Sequence, residues 1–471
     1  MVNMLPSTDL FIEAVGAEIY GKTSHFEIAV TDSREAVHNS LFIALKGNNT
    51  DGHLYIDQAY TNGCRLFLVS RNWFKDTKNI FSDACYILVD DTLSALQKTA
   101  ALWCACVSKP QDARHGKPLV KIGVTGSSGK TTCKEIIASI LAVSANVVKN
   151  PGNLNSEIGL PASLFRIRDY HEYAVFEMGI NHIGEMDTLA DLYKPDIAVI
   201  TLIGTAHIGL LGGSKKHIAH EKKKIAKYLN QNNGALIVWE DDEYRDFLLT
   251  DIANAYTFGP RSCLSFEGAR DLGASGWMIS YNGKEVLFPL AGSHNLLNAL
   301  AGIRVAELLK VNTDDMLHGL AQVEGAQSRT AIFQGKFTVV DDTYNANLES
   351  FTAGLALAKQ LAGSHNLICI VGAMKELGDQ TQSIHEQLGE IIAAVKPAHV
   401  YCYGEETHFT VNKAKESGFN NIIVTHSHEE LVQNVLTCVH EHDCIYLKGS
   451  RALSLDKVAM LLKEKAGSHA S

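Results

Sequence analysis

The sequence predicts an α/β protein of three domains, and two observations carry that prediction. Short apolar runs, each followed by a helix-like segment, recur in two separate stretches, as expected for parallel strands buried on both faces. The chain, at 471 residues, also exceeds what one hydrophobic core holds, since cores stop growing near roughly 250–300 residues. Hydrophobic residues make up 46% and charged residues 20%, which is the composition of a globular chain rather than a disordered one.

Taken in order, residues 1–112 hold the runs FEIAVTDSR, SLFIALKG, CRLFLVSR and YILVDD, which predict a small α/β domain of its own. The polar segment SKPQDARHGKP contains two of the nine prolines and reads as a linker. In residues 113–325 the runs LVKIGVTG, YAVFEMG, DIAVITLIG and GALIVWE alternate with helical patterns such as CKEIIASILAV, predicting a central parallel sheet. EGAQSR, at 324–329, marks a fainter second boundary. Beyond it KFTVVDDTYN, NLICIVG, AHVYCYG, NIIVTH and DCIYLKGS restore the same signature, giving a C-terminal Rossmann-like α/β domain over 326–471.

Several function classes are disfavoured by composition. A net charge of −10 argues against nucleic acid as the main partner, because binding a phosphate backbone needs a basic surface. The start lacks a basic region followed by an apolar core, and no run reaches about 18 apolar residues, so neither secretion nor a membrane span is expected. A cytoplasmic location follows as the expectation. The ten cysteines, several inside apolar runs, read as buried thiols of a reducing compartment. Cys104 and Cys106 form a C-x-C without a second pair at zinc spacing, so no structural zinc is expected.

The stretch GVTGSSGKTT, Gly123–Thr132, resembles a phosphate-binding loop, although the common G-x-x-x-x-G-K-[ST] pattern would place its first glycine where Val124 stands. Its context fits: LVKIGVTG supplies a buried strand, and TTCKEIIASIL supplies a helix whose first N–H groups would face phosphate oxygens. Gly126 and Gly129 would let the backbone approach the phosphates, with Ser127 and Ser128 between them as candidate nucleotide contacts. Lys130 would neutralise phosphate charge, and Thr131 or Thr132 would hold Mg²⁺. A plain Gly/Ser turn is the bland alternative. Glu177 ends one following strand and His207 follows another, which puts both at the sheet edge where open α/β sheets bind ligands. They are candidate magnesium ligands.

These residues, with TDSREAVHNSLFIALKGNNTDGH, NPGNLNSEIGLP, FEMGINHIGEM, GTAHIG, GSHNLLNALAG, DDTYNANLES, AMKELG and LKGSR, make the chain resemble the ATP-dependent Mur ligases of peptidoglycan synthesis almost end to end. Members resemble one another in T-G-[ST]-x-G-K-[ST], which accounts for valine at 124. The resemblance implies a UDP-sugar domain, a central ATPase domain and a C-terminal acceptor domain acting on three substrates. DDTYNAN resembles the branch that adds D-alanyl-D-alanine to UDP-N-acetylmuramoyl-tripeptide, with ATP and Mg²⁺, through an acyl phosphate. Another amide ligase of the same architecture, a P-loop kinase or ATPase, and a non-catalytic binding protein are the alternatives.

The resemblance also implies site residues. Glu177, His207 and a carbamylated Lys222 would hold magnesium, and these with Lys130 form the catalytic set. Asn295 and Asn298 would lie at the adenine, with Arg329 and Asp342 reaching the nucleotide from the domain junction. Ser33 and Arg34 would touch the UDP-sugar, and Asn153, Asn155 and Glu157 the peptide. Tyr344, Asn345, Asn347, Lys448 and Arg451 complete the candidate substrate contacts. For His385, in QSIHEQLG, helical spacing leaves substrate contact and a surface or core role as alternatives. Lys222 lies in a KKK run, where the bland reading is a solvated helical face. Leu202, Ser328, Leu348 and Ala373 depart from the family pattern without removing a phosphate or magnesium ligand. A monomer is the expected assembly.

Overall fold

The computed structural model describes residues 8–467 apart from 48–49, 78–79, 111–113, 115, 230, 232 and 325–329. The expected boundaries at 112/113 and 325/326 therefore lie outside the described residues; different sheets stand on the two sides of each.

The four N-terminal apolar runs become strands Ile28–Val30, Ser40–Ile43, Leu66–Ser70 and Cys85–Val89, paired in parallel. Glu18–Tyr20 adds an antiparallel edge. The last helix of this region, Thr92–Val107, packs on helices Gly159–Leu164 and Glu185–Tyr193 of the central region. Trp103 is buried there, stacks on Phe11 and Phe26, meets Phe165 edge-on and donates its indole N–H to the Ile167 carbonyl at 3.1 Å. Such an apolar aromatic seam holds the two regions in one orientation.

The presumed linker contains a structural anchor. Arg114 is buried, and its guanidinium donates to the carbonyls of Lys117 at 3.0 Å, Val107 at 2.8 Å, Asp169 at 2.9 Å and His171 at 3.2 Å, and also to Lys109. One charged side chain thus satisfies backbone acceptors from both regions, which a polar, proline-bearing segment does not advertise. Arg114→Ala is expected to destabilise the protein by roughly 3 kcal/mol, because those carbonyls lose charged donors and a buried void replaces the side chain. Urea denaturation followed by circular dichroism checks this; an unchanged midpoint would show that the anchor is dispensable.

The central sheet is wholly parallel, in the spatial order Ala255–Phe258, Ala235–Trp239, Ile197–Ile200, Val120–Thr125, Tyr173–Glu177, Val147–Lys149. Strand Val120–Thr125 lies between the strands that end at Glu177 and Ile200, so three carboxyl ends converge on one edge. No strands are read from sequence between Trp239 and Phe337, yet Phe266–Asp271, Trp277–Tyr281 and Lys284–Phe288 form an antiparallel meander. Its signal is Asn282-Gly283, whose φ values of 50° and 71° suit a type I′ hairpin turn.

All five C-terminal runs are strands, with Thr338–Asp342, Cys444–Lys448, Leu367–Gly372, His399–Tyr403 and Ile422–Thr425 parallel in that spatial order. Ala331–Gln334 pairs antiparallel at the edge, which the sequence reading does not anticipate. Among the described residues no helix is long and apolar enough to cross a membrane.

Candidate active site

A cavity of about 630 Å³ opens where the central strands end and the C-terminal domain faces them. Its floor is Ser127, Ser128, Gly129, Lys130 and Glu177; Asn295 and Asn298 of helix Ser293–Leu308 form one wall. Asp342, Tyr344, Asn345, Asn347 and Lys448 face them from the C-terminal domain. The carboxyl edge of a parallel sheet is where ligands bind in open α/β folds, because loops and helix N-termini gather there.

The loop geometry explains the valine. Val124 is buried inside the sheet, hydrogen-bonded in register between Glu177 and Val199, where no glycine is needed. Gly126 has φ 151°, and a Cβ there would stand 1.9 Å from Thr201 Oγ1. Gly129, at φ 80°, caps helix Lys130–Ala142, and a Cβ would stand 2.6 Å from Asn298 Oδ1. The two glycines thus serve the close packing of loop against strand and wall as well as backbone freedom. Thr201 Oγ1 donates to the Ser128 carbonyl at 2.5 Å, and Lys130 Nζ folds over the loop onto the Gly126 carbonyl at 3.0 Å. Thr132 lines the cavity, whereas Thr131 is buried and donates its hydroxyl to Glu177 Oε2.

Glu177 is fully buried and accepts 2.6 Å from Asn155 Nδ2 on its other oxygen. Its main chain is gripped by Asn150, which accepts from Glu177 N–H at 2.9 Å and donates to Glu177 O at 3.0 Å and Leu154 O at 2.8 Å. Lys134, also buried, donates to the Asn150 carbonyl at 2.7 Å. Neither Asn150 nor Lys134 is singled out by the sequence reading; the N of NPGNLN and the K four residues after Lys130 are the only traces. Asn150→Ala is expected to cost roughly 1–3 kcal/mol, since buried backbone groups lose partners. A denaturant midpoint that falls together with turnover would fit, and an unaltered midpoint would not. Asn153 and Asn155 line the cavity, while Glu157 lies outside it, half-buried, with its acidity weakened by burial and by Glu185.

The three lysines of EKKK diverge. Lys222 is buried, and burial, then the Lys130 charge, push its pKa well below the ordinary lysine value, against the pull of Glu177 and Glu221. Lys223 donates to the carbonyls of Phe247 and Thr250 at 2.8 and 3.0 Å, and Lys224 pairs with Asp187 and Glu221 at 2.7 Å. Successive helical residues point about 100° apart, so the three side chains enter different surroundings and only Lys222 is buried near Lys130 and Glu177. His207 lines the cavity with a positive φ of 57°, and its Nδ1 is bonded to Glu376 of the C-terminal domain. Burial and Lys130 lower its pKa despite that carboxylate.

On the C-terminal side Lys448 is buried and pairs with Asp342 at 2.6 Å. Asn347 caps helix Leu348–Ala362 in a capping box with Ser350 and reaches the Ser127 carbonyl at 3.3 Å. Arg451 does not line the cavity; it is largely exposed and pairs with Asp456 at 3.3 Å. His385 is buried, bonded through Nδ1 to Thr381 O at 2.8 Å, and accepts from Met374 N–H at 3.1 Å, so it is a core residue that shapes the AMKELG loop. Ser33 and Arg34 belong to the N-terminal domain away from this cavity; Ser33 donates to Gln58 at 2.6 Å and exposed Arg34 pairs with Asp32. Arg329 and Ser328 lie outside the described residues. Of the other departures, Leu202 lines the cavity and accepts from Ser127 N–H, Leu348 opens its helix, and Ala373 is buried beside Gly404. Thr201, His294, Glu349 and Glu376 join the site without having been singled out.

The donor set suits a nucleotide with magnesium better than a metal held by protein alone. Among the described residues no group of three or more His, Cys, Asp and Glu is placed to hold an ion. Mg²⁺ commonly takes one or two protein oxygens and completes its shell with phosphates and water. Glu177 beside the Thr131 hydroxyl at the root of the loop supplies that pair.

Comparison with known proteins fits this geometry. Residues 124–306 match the Mur ligase middle domain and residues 328–451 the Mur ligase, glutamate ligase domain. The UDP-N-acetylmuramoyl-tripeptide–D-alanyl-D-alanine ligase of Treponema pallidum is 34% identical over 449 residues, 92% of this chain and 93% of that one. The chain belongs to the Mur ligase family. The ligase of the same name from Bacillus subtilis is 33% identical, with 92% of each chain covered. Among solved structures, MurF from Acinetobacter baumannii superposes with a TM-score of 0.84 at 28% identity, covering 97% of this chain and 98% of that one. MurF ligase from Thermotoga maritima in complex with ADP gives 0.76 at 27%, covering 94% and 98%. Membership in the Mur ligases accounts for the three-domain α/β architecture.

Proposed function

We propose that the protein is the ATP-dependent ligase that joins UDP-N-acetylmuramoyl-tripeptide to D-alanyl-D-alanine. The products are UDP-N-acetylmuramoyl-pentapeptide, ADP and phosphate. The observation that carries this reading is the single cavity in which a phosphate loop with Lys130, a buried carboxylate at Glu177 and the C-terminal Asp342–Asn347 segment meet. Relatives at about a third identity over nearly the whole chain bear the name of that activity.

An amide cannot form directly from a carboxylate, because oxide is too poor a leaving group. The terminal carboxylate of the tripeptide attacks the γ-phosphorus, the bond from that phosphorus to the β-bridging oxygen breaks, and ADP leaves. Lys130 and the first N–H groups of helix Lys130–Ala142 neutralise charge on the transferring phosphoryl group. The neutral amine of the dipeptide then attacks the acyl carbon, loses a proton and displaces phosphate. Asn295 and Asn298 contact the adenine side, with Asp342 and Arg329 on the nucleotide and Ser33 and Arg34 on the UDP-sugar. Asn153 and Asn155 contact the peptide, and Tyr344, Asn345 and Asn347 the acceptor. Closure of the C-terminal domain excludes water that would hydrolyse the acyl phosphate.

Magnesium would be held by Glu177, Thr131, His207 and Lys222, the last as a carbamate. When bound, the ion spreads the negative charge of phosphoryl transfer. Burial and the Lys130 charge favour the unprotonated amine at Lys222, and that is the form that adds CO₂, losing one proton as the N-carboxylate forms. The ten cysteines, none of them in a disulfide, and the ATP requirement support a cytoplasmic site of action, and a monomer is the working assembly.

The test is phosphate release by purified protein with Mg-ATP and UDP-N-acetylmuramoyl-tripeptide, with and without D-alanyl-D-alanine, following the nucleotide product by mass. Dipeptide-dependent release with a pentapeptide product is expected. Release indifferent to the dipeptide would point to a different acceptor or a plain ATPase.

A further inference from the structure

We propose that Glu376 is a positioning residue that orients His207 across the domain boundary, so that the imidazole is correctly presented only when the C-terminal domain is closed on the central one. The proposal rests on the ligase reading above and adds to it a residue from the opposite domain. Glu376 lies 169 residues from His207 in sequence, on the loop after strand Leu367–Gly372, and its carboxylate bonds His207 Nδ1.

Three features show that this contact is built. The two loops touch backbone to backbone: Gly209 N–H donates to the Glu376 carbonyl at 3.0 Å, and a Cβ on Gly209 would stand 2.4 Å from Gly378 N. Both partners adopt positive φ, 57° at His207 and 63° at Glu376. Non-glycine residues held there are strained and persist where surrounding structure fixes them. A second carboxylate from the same domain secures the same loop, since Glu349 Oε2 accepts from Thr205 N–H at 2.9 Å and from its hydroxyl at 2.8 Å. Residues 204–209 are thus held at both ends by the domain that faces them.

The chemical consequence follows from the two ring nitrogens. A carboxylate can only accept, so Nδ1 carries the proton and donates it to Glu376, leaving Nε2 with its lone pair as the second face of the ring. Carboxylate support of this kind fixes both tautomer and ring plane of a ligating histidine. If the domains part, Glu376 leaves with the C-terminal domain and both are lost.

The experiment uses full-length protein with ¹⁵N-labelled histidine, the His207 signals being assigned by their disappearance in His207→Gln. A protonated Nδ1 at His207 is expected in the native protein and a mixed tautomer in Glu376→Ala and Glu376→Gln. An unprotonated Nδ1 in the native protein, or an unchanged signature in both variants, would overturn the proposal whether or not the protein turns out to be a ligase. In phosphate-release assays Glu376→Ala is expected to lower kcat about 10–100-fold with KM for ATP preserved. In the His207→Gln background it should cost nothing further, whereas fully additive losses would mean that Glu376 acts independently of His207. Absence of dipeptide-dependent release in the native protein would remove the ligase reading and leave the tautomer result standing.

Discussion

Replacing Lys130 by alanine is expected to lower dipeptide-dependent phosphate release by about 10²–10³-fold while the protein stays folded. The ammonium lies over the loop, bonded to the Gly126 carbonyl at 3.0 Å, and it lines the cavity between Gly129 and Thr132. It is half-buried at the cavity rather than enclosed in the core, so the melting temperature should move little. Its charge matters most when the γ-phosphoryl group is in transit, which predicts that kcat and kcat/KM fall together rather than KM alone rising. Steady-state kinetics at varied ATP checks this. Turnover within a few-fold of the native protein would remove Lys130 from the chemistry.

Substituting Lys222 by methionine is expected to reduce turnover by at least about 10²-fold and yet to raise the melting temperature near neutral pH. The folded-state pKa of this lysine lies well below its unfolded value of 10.5, first because burial disfavours the ammonium and then because Lys130 repels it. Between the two values the unfolded chain binds the extra proton, so the native state loses stability as pH falls through that window and regains it as pH rises toward 10.5. Methionine fills a similar volume without that penalty. Melting curves of both proteins at two pH values should converge toward the alkaline end. A lower melting temperature for the methionine variant would mean that Lys222 is held by favourable contacts instead. If the amine carries CO₂, native turnover should fall in CO₂-depleted buffer and recover with bicarbonate, while the methionine variant ignores both.

The strand that feeds the phosphate loop, the loop itself and the helix after it were legible because all three are local: buried Val120–Thr125, glycines at 126 and 129, and the helical pattern from Lys130. Glu177 and His207 could be placed at the right sheet edge for a similar reason, since each closely follows an apolar run. The meander from Phe266 to Phe288 escaped notice although Asn282-Gly283 announced one hairpin, because its strands are half-exposed and weakly alternating. Arg114 sat in a segment whose composition suggested a linker, and only its surroundings reveal a buried anchor.

By itself, then, the sequence determined the chemistry available to this protein: a loop for phosphate, a carboxylate and an imidazole at strand ends, and three α/β units to bring substrates together. Tertiary structure decided which of Lys222, Lys223 and Lys224 is buried, that Asn150 and Lys134 brace Glu177, and that Glu376 meets His207. Periodicity and turn chemistry act over a few residues and are written locally. The pairing of side chains 169 residues apart depends on how one domain packs on another, and no short stretch of sequence encodes that distance.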